Sequence, residues 1–272
     1  MCITALDAEL SNTYVGVWDI DHPELGYRHV LAYQNTPKNL VNTPNCMLLH
    51  VPTKHPLTPS SILDTSNDPR FLEQMAESVL APVTTAARGA DFSASNFITE
   101  MGIYHIAILN DVSFDAWLEV KRTIPKHKQP TIKEEFIRFY AEQFPSYALL
   151  ICCFHNRDAK KASPIVLHYS PQFPDTFHFP TLDSHGKVPQ IGAKHRFHQV
   201  IVTGSQQLKR PGDGFDAFDL TRVGKPLLPF LPKVGAALRL AGSVAPNSDL
   251  LLEAVPIRDG GDAQFDFGIL GA

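Results

Sequence analysis

The run 147–154, YALLICCF, constrains this chain more than any other stretch: eight apolar residues in a row, entered just after Pro145. That length suits a buried strand and falls short of the roughly 20 residues of a bilayer-spanning helix. Cys152 and Cys153 are adjacent within it. In a strand they point to opposite faces, so both read as small buried hydrophobes. The run opens the stretch 147–204, which holds three further strand-like runs and six of the twelve histidines: His155, His168, His178, His185, His195 and His198.

The rest of the chain arranges itself around that strand. YVGVWDI, RHVLAYQ and CMLLHVP follow one another in residues 2–52, separated by turn-rich pieces. Such spacing favours an antiparallel meander over βαβ units. A helix is expected from Asp68, with Asp68 as cap, Pro69 at the first helical position and Phe71, Leu72, Met75 and Val79 as its apolar stripe. Ser113 caps a second helix. Thr131 and Glu134 form a capping box for a third, which Pro145 closes and which should pack on the strand 147–155. The 22 prolines against 16 glycines point to many short segments. The expected fold class is α+β: a largely antiparallel sheet of several strands with about three helices packed on one face. A composition shift at SQQLKRPGDG divides the chain into a core domain, 1–204, and an arm with C-terminal strands, 205–272, packed on the same domain.

A net charge of −4 and a pI near 6.3 give no electrostatic case for nucleic acid or an anionic membrane as partner. The N-terminal MCITALDAEL has neither a basic region nor a long apolar stretch, so it does not read as a signal peptide, and a cytoplasmic protein is expected. The segment 225–233, KPLLPFLPK, places proline at every third position between leucines and a phenylalanine. Those side chains ask to be buried, in the chain's own core as the first expectation, with a protein partner or self-association through 225–233 as the second.

Two features carry chemistry. Loss of Met1 would expose Cys2, whose free amine can serve as base for its own thiol. The Met-Cys start leading straight into a strand resembles the cysteine members of the N-terminal-nucleophile amidohydrolases, and the resemblance implies Cys2 as a catalytic nucleophile. It covers about ten residues. The arginine and Asn-x-Asp pattern of that family is absent, and Tyr33-Gln34-Asn35 is the nearest match. The second feature is HFPTLDSHG, in which His178, Asp183 and His185 form a candidate metal or acid/base set. His195 and His198 lie three apart in a strand-like segment and face opposite ways. No cofactor is identified. Asp183-Ser184-His185 cannot converge as a hydrolase triad, since adjacent residues point apart. The expectation is a non-enzymatic interaction or structural protein, with a Cys2 amidohydrolase and a His178/Asp183/His185 metal enzyme as the alternatives.

Overall fold

The computed structural model describes residues 3–80, 99–155, 162–212, 214–240, 242–259 and 265–266. The first part of the chain forms β1 (Ile3–Thr4), β2 (Ala8–His22), β3 (Gly26–Asn39), β4 (Asn45–Val51), β5 (Ile62–Leu63) and α1 (Phe71–Val79). Then come β6 (Thr99–Met101), β7 (Tyr104–Leu109), α2 (Phe114–Lys121), α3 (Glu134–Gln143), β8 (Ala148–Phe154), β9 (Ile165–Tyr169), β10 (Thr176–Phe179) and β11 (Ser184–His185). The remainder supplies β12 (Lys194–Arg196), β13 (Val200–Ser205), β14 (Asp216–Ala217), β15 (Val234–Arg239), β16 (Val244–Pro246), β17 (Leu250–Glu253), α4 (Ala254–Asp259) and β18 (Phe265–Asp266).

Two sheets carry the fold. One has six strands in the order β11-β1-β4-β8-β7-β6, the other seven in the order β14-β15-β13-β2-β3-β9-β5. Both are mixed: β1 runs parallel to β11 and β2 parallel to β13. Strand alternation divides each sheet between two apolar layers. Leu150, Cys152 and Phe154 of β8 join Val15, Val17, Leu31 and Tyr33 of β2 and β3 in the layer between the sheets. Leu149, Ile151 and Cys153 instead face Trp117, Phe136, Ile137 and Tyr140 of α2 and α3. The split of the cysteine pair and the packing of the third helix on β8 follow the pattern read from sequence.

The helices are not gathered on one face. α2 and α3 cover the outer face of the six-stranded sheet, whereas Phe71, Leu72, Met75 and Ala76 of α1 cover the outer face of the seven-stranded one. The physical reason is that both sheets are apolar on both faces, so each needs its own cover. Fully burying each such side chain contributes about 1.5–3 kcal/mol. Leu227 and Leu231 of the proline-rich segment lie in the same outer layer, at 2% exposure each, and Phe230 packs against it. Trp18 fixes that segment by donating its indole N–H to the Phe230 carbonyl, 2.7 Å away. Among the described residues, no helix is long and apolar enough to cross a membrane.

Helix starts were partly legible. Ser113 accepts from Ala116 N at 3.2 Å, as a cap should. The third helix begins at Glu134 with Lys133 as its cap residue and no side-chain cap bond, in place of the Thr131 box. α1 begins at Phe71 because Asp68 is engaged elsewhere: its carboxylate accepts from Gly224 N at 2.8 Å.

Candidate functional site

The β10–β17 ladder ends at the pair Phe179–Leu250, and side-chain hydrogen bonds continue it. Thr181 Oγ1 donates to the Ser248 carbonyl (2.9 Å) and Asp183 N donates to Asn247 Oδ1 (2.9 Å). Asn247 Nδ2 returns a bond to the Asp183 carbonyl (2.8 Å). Segments 181–183 and 247–249 are thereby fastened together, and each delivers one aspartate to a group of histidines.

Asp249 belongs to the inner group. Its Oδ2 lies 2.5 Å from His50 Nε2, contributed by β4, and 2.7 Å from His178 Nε2, contributed by β10. Its Oδ1 accepts from Leu182 N at 2.9 Å. Exposure of His50, His178 and Asp249 is 3%, 3% and 2%. His50 is stacked on Phe144 with ring centroids 4.0 Å apart. Burial alone would raise the Asp249 carboxyl, but the adjoining imidazoles and their hydrogen bonds outweigh it and hold it well below the usual carboxylate range. Burial also depresses the His178 imidazole, against the pull of Asp249. The consistent assignment is an ionised Asp249 accepting Nε2–H from both imidazoles and N–H from Leu182, all of its donors supplied by the protein.

These three residues are the group of metal-ligand type among the described residues, their ligand atoms all within 4.8 Å of one another. The surroundings fit a metal poorly. An imidazole that ligates through Nε2 carries a proton on Nδ1 and donates it to a carbonyl or carboxylate. Here Nδ1 of both His50 and His178 is buried with no hydrogen-bond partner. A bare acceptor in that position is a smaller penalty than an orphaned donor beside a dication. The triad reads as an internal strut joining β4, β10 and the start of β17.

Asp183 belongs to the outer group. Its Oδ1 lies 3.2 Å from His185 Nε2 and its Oδ2 3.5 Å from His195 Nε2. The side chains of His185, His195 and Asp183 are 28%, 21% and 9% exposed. Burial, opposed by Asp183, lowers the His195 pKa. The structure therefore divides the set expected from sequence. Asp183 and His185 meet, while His178 turns to His50 and Asp249. His195 joins Asp183, and His198 is exposed. His50 and Asp249 escaped the sequence reading because they lie 199 residues apart. The available signal was a histidine inside the apolar run CMLLHV. Cys2 lies outside the described residues. Cys46, Cys152 and Cys153 are buried, and burial pushes the Cys153 thiol up, away from reactive thiolate. Ser184 gives its hydroxyl to the Lys187 carbonyl.

No family model and no curated protein matches the sequence. Among solved structures, the chain is similar to baculovirus P35, with 12% identity over 90% of this chain and 97% of that one, at a TM-score of 0.49. A mutated baculovirus P35 after caspase cleavage gives 11% identity over 90% and 98%, at 0.47. P35 in its complex with caspase-8 gives 12% identity over 89% and 96%, at 0.47.

Proposed function

We propose that this chain is a non-enzymatic protein that acts by binding another protein, its histidine–carboxylate groups serving the fold. The observation that carries this reading is the burial of His50, His178 and Asp249 at 3%, 3% and 2% exposure. The inner of the two aspartate–histidine groups is closed to any substrate, and its carboxylate is saturated by donors from the protein itself. Self-association through 225–233 is the weaker form of the proposal. Leu227 and Leu231 are spent on the chain's own sheet, which leaves Leu228, at 39% exposure, as the exposed large apolar side chain of that segment.

The test is light scattering on the intact protein, alone over a wide concentration range and mixed with a protein probe. Caspase-8, the partner of P35 in one of those structures, serves as the first probe; the reading itself rests on the buried triad. A heavier species, formed by self-association or with the probe, is the expected result. Turnover of amide substrates that Cys2→Ala abolishes would overturn the reading in favour of the amidohydrolase.

A further inference from the structure

β12 and β16 form a two-stranded ribbon that belongs to neither large sheet. Its pairs are Lys194–Pro246, His195–Ala245 and Arg196–Val244. Backbone bonds extend it at both ends, Asn247 N to the Ala193 carbonyl (2.7 Å) and Phe197 N to the Ser243 carbonyl (2.9 Å). The two faces differ. His195 turns inward to Asp183, and Ala245 packs against the core between the sheets. Lys194, Arg196, Val244 and Pro246 are all exposed, Val244 at 56%.

The register also decides which backbone groups are open. In an antiparallel pair the bonded and non-bonded positions alternate. Ala193–Asn247 and Phe197–Ser243 are bonded positions, so His195–Ala245 is the next, and Lys194 and Arg196 occupy the non-bonded ones. Their N–H and C=O groups therefore point away from β16, along the edge of β12 that pairs with no other described strand. The opposite edge is spoiled for pairing, because Pro246 has no N–H to give. Among the described residues, β12 is left with an intact edge of two donors and two acceptors, flanked on its solvent face by two cations. Among the described residues, neither Lys194 nor Arg196 forms an ion pair.

We propose that the free edge of β12 docks an extended acidic segment of a partner protein by strand addition, with acidic side chains at alternate positions answering Lys194 and Arg196. This rests on the protein-binding function proposed above and names its surface and the chemistry of its partner. Main-chain bonds supply the affinity of strand addition, and side chains at every second position supply its specificity. The charge selects the occupant. A second copy of β12 would set cations against cations, which disfavours self-pairing, whereas carboxylates at positions i and i+2 of an incoming strand are complementary. Although the chain as a whole carries −4, the outward face of this ribbon is cationic.

The test uses fluorescence anisotropy of a labelled peptide of alternating glutamate and valine on the full chain, with amide hydrogen exchange read at Lys194 and Arg196. The expected result is binding that weakens with salt, falls at least about tenfold in Lys194→Glu/Arg196→Glu, and slows exchange at both amides. A second peptide with the same charges but proline at the pairing positions should fail to bind, which separates strand addition from simple charge attraction. Both substitutions are at exposed positions, and an unchanged melting curve checks that the variant is folded. Absence of peptide binding, equal binding by the charge-reversed variant, or unprotected amides would each overturn the proposal. So would a doubled mass that the same variant abolishes, because the occupant would then be a second copy. Failure here is distinct from failure of the broader reading: a stable protein complex cross-linked outside 192–198 would overturn the ribbon alone.

Discussion

His50 Nε2 lies 2.5 Å from Asp249 Oδ2, although the two residues are 199 positions apart in the chain. One bond thus closes the loop between the strand that pairs with β8 and the segment that leads into β17. Removing the carboxylate strands two buried imidazoles and the Leu182 N–H. Asp249→Ala is expected to cost about 1–3 kcal/mol for each buried donor left without its acceptor. Urea melts of Asp249→Ala, with His178→Ala as its companion, check this. A loss under about 1 kcal/mol would show that the triad is not a strut.

If the triad holds protons rather than an ion, chelation has nothing to remove. Dialysis against a strong chelator is expected to leave the melting temperature unchanged. Elemental analysis of protein purified without chelator should show no stoichiometric zinc. One bound metal per chain, lost on chelation with a fall in stability, would reverse the assignment, since structural zinc contributes directly to folding.

Acid should weaken the fold in two stages. Burial pushes His29 from the ordinary 6.5 down to about 3, with a hydrogen bond to the Pro174 carbonyl working against it. The unfolded chain binds a proton that the folded chain refuses, so stability is intact above about 6.5 and declines as the pH drops toward 3. His178, also lowered, adds to the same decline. Asp249 has a depressed folded pKa, so its contribution is present above the unfolded value of 3.8 and is lost only as the pH falls below it. Each refused proton contributes a slope of about 1.4 kcal/mol per pH unit. Urea melts at a series of pH values should show the decline, and His29→Gln should make it shallower by about one such slope.

Arg258 fastens α4 to the β2–β3 hairpin. Its Nε donates to Asp19 Oδ2 at 2.6 Å, Nη1 to Asp175 Oδ1 at 2.8 Å, and Nη2 to the Tyr27 hydroxyl and the Pro174 carbonyl. The Asp19 side chain is 1% exposed, so losing its partner leaves a buried charge. Arg258→Ala should cost about 3 kcal/mol or more. Arg258→Lys should recover only part, because an ammonium cannot span several acceptors as a guanidinium fork does. Full recovery by lysine would show that charge alone matters.

Gly235 sits where β15 meets β13. A Cβ there would come within 2.2 Å of the Thr203 carbonyl oxygen and 2.3 Å of Phe218 Cε2. The backbone contact cannot be relieved by rotating a side chain. Gly235→Ala is therefore expected to destabilise by about 1–3 kcal/mol, measured by thermal melting. An unchanged melting temperature would mean that β13 and β15 separate at no cost.

Periodicity alone determined most of the strands, the division of Cys152 and Cys153 between faces, and the packing of α3 on β8, because these depend on the two-residue and 3.6-residue repeats of neighbouring side chains. It also suggested that chemistry collects in 178–185. What lay beyond its reach was every relationship across the fold. The YALLICCF strand is apolar on both faces, but only the tertiary structure shows that one face meets a second sheet and the other meets helices. That arrangement puts helices on two outer faces instead of one. The histidines divided because β10 ends at Phe179 and the next strand starts only at Ser184, in a different sheet, so His178 and His185 are carried apart. The partners that complete each group, His50 and Asp249 for His178, and His195 for Asp183, come from distant parts of the chain that only the sheet order brings together.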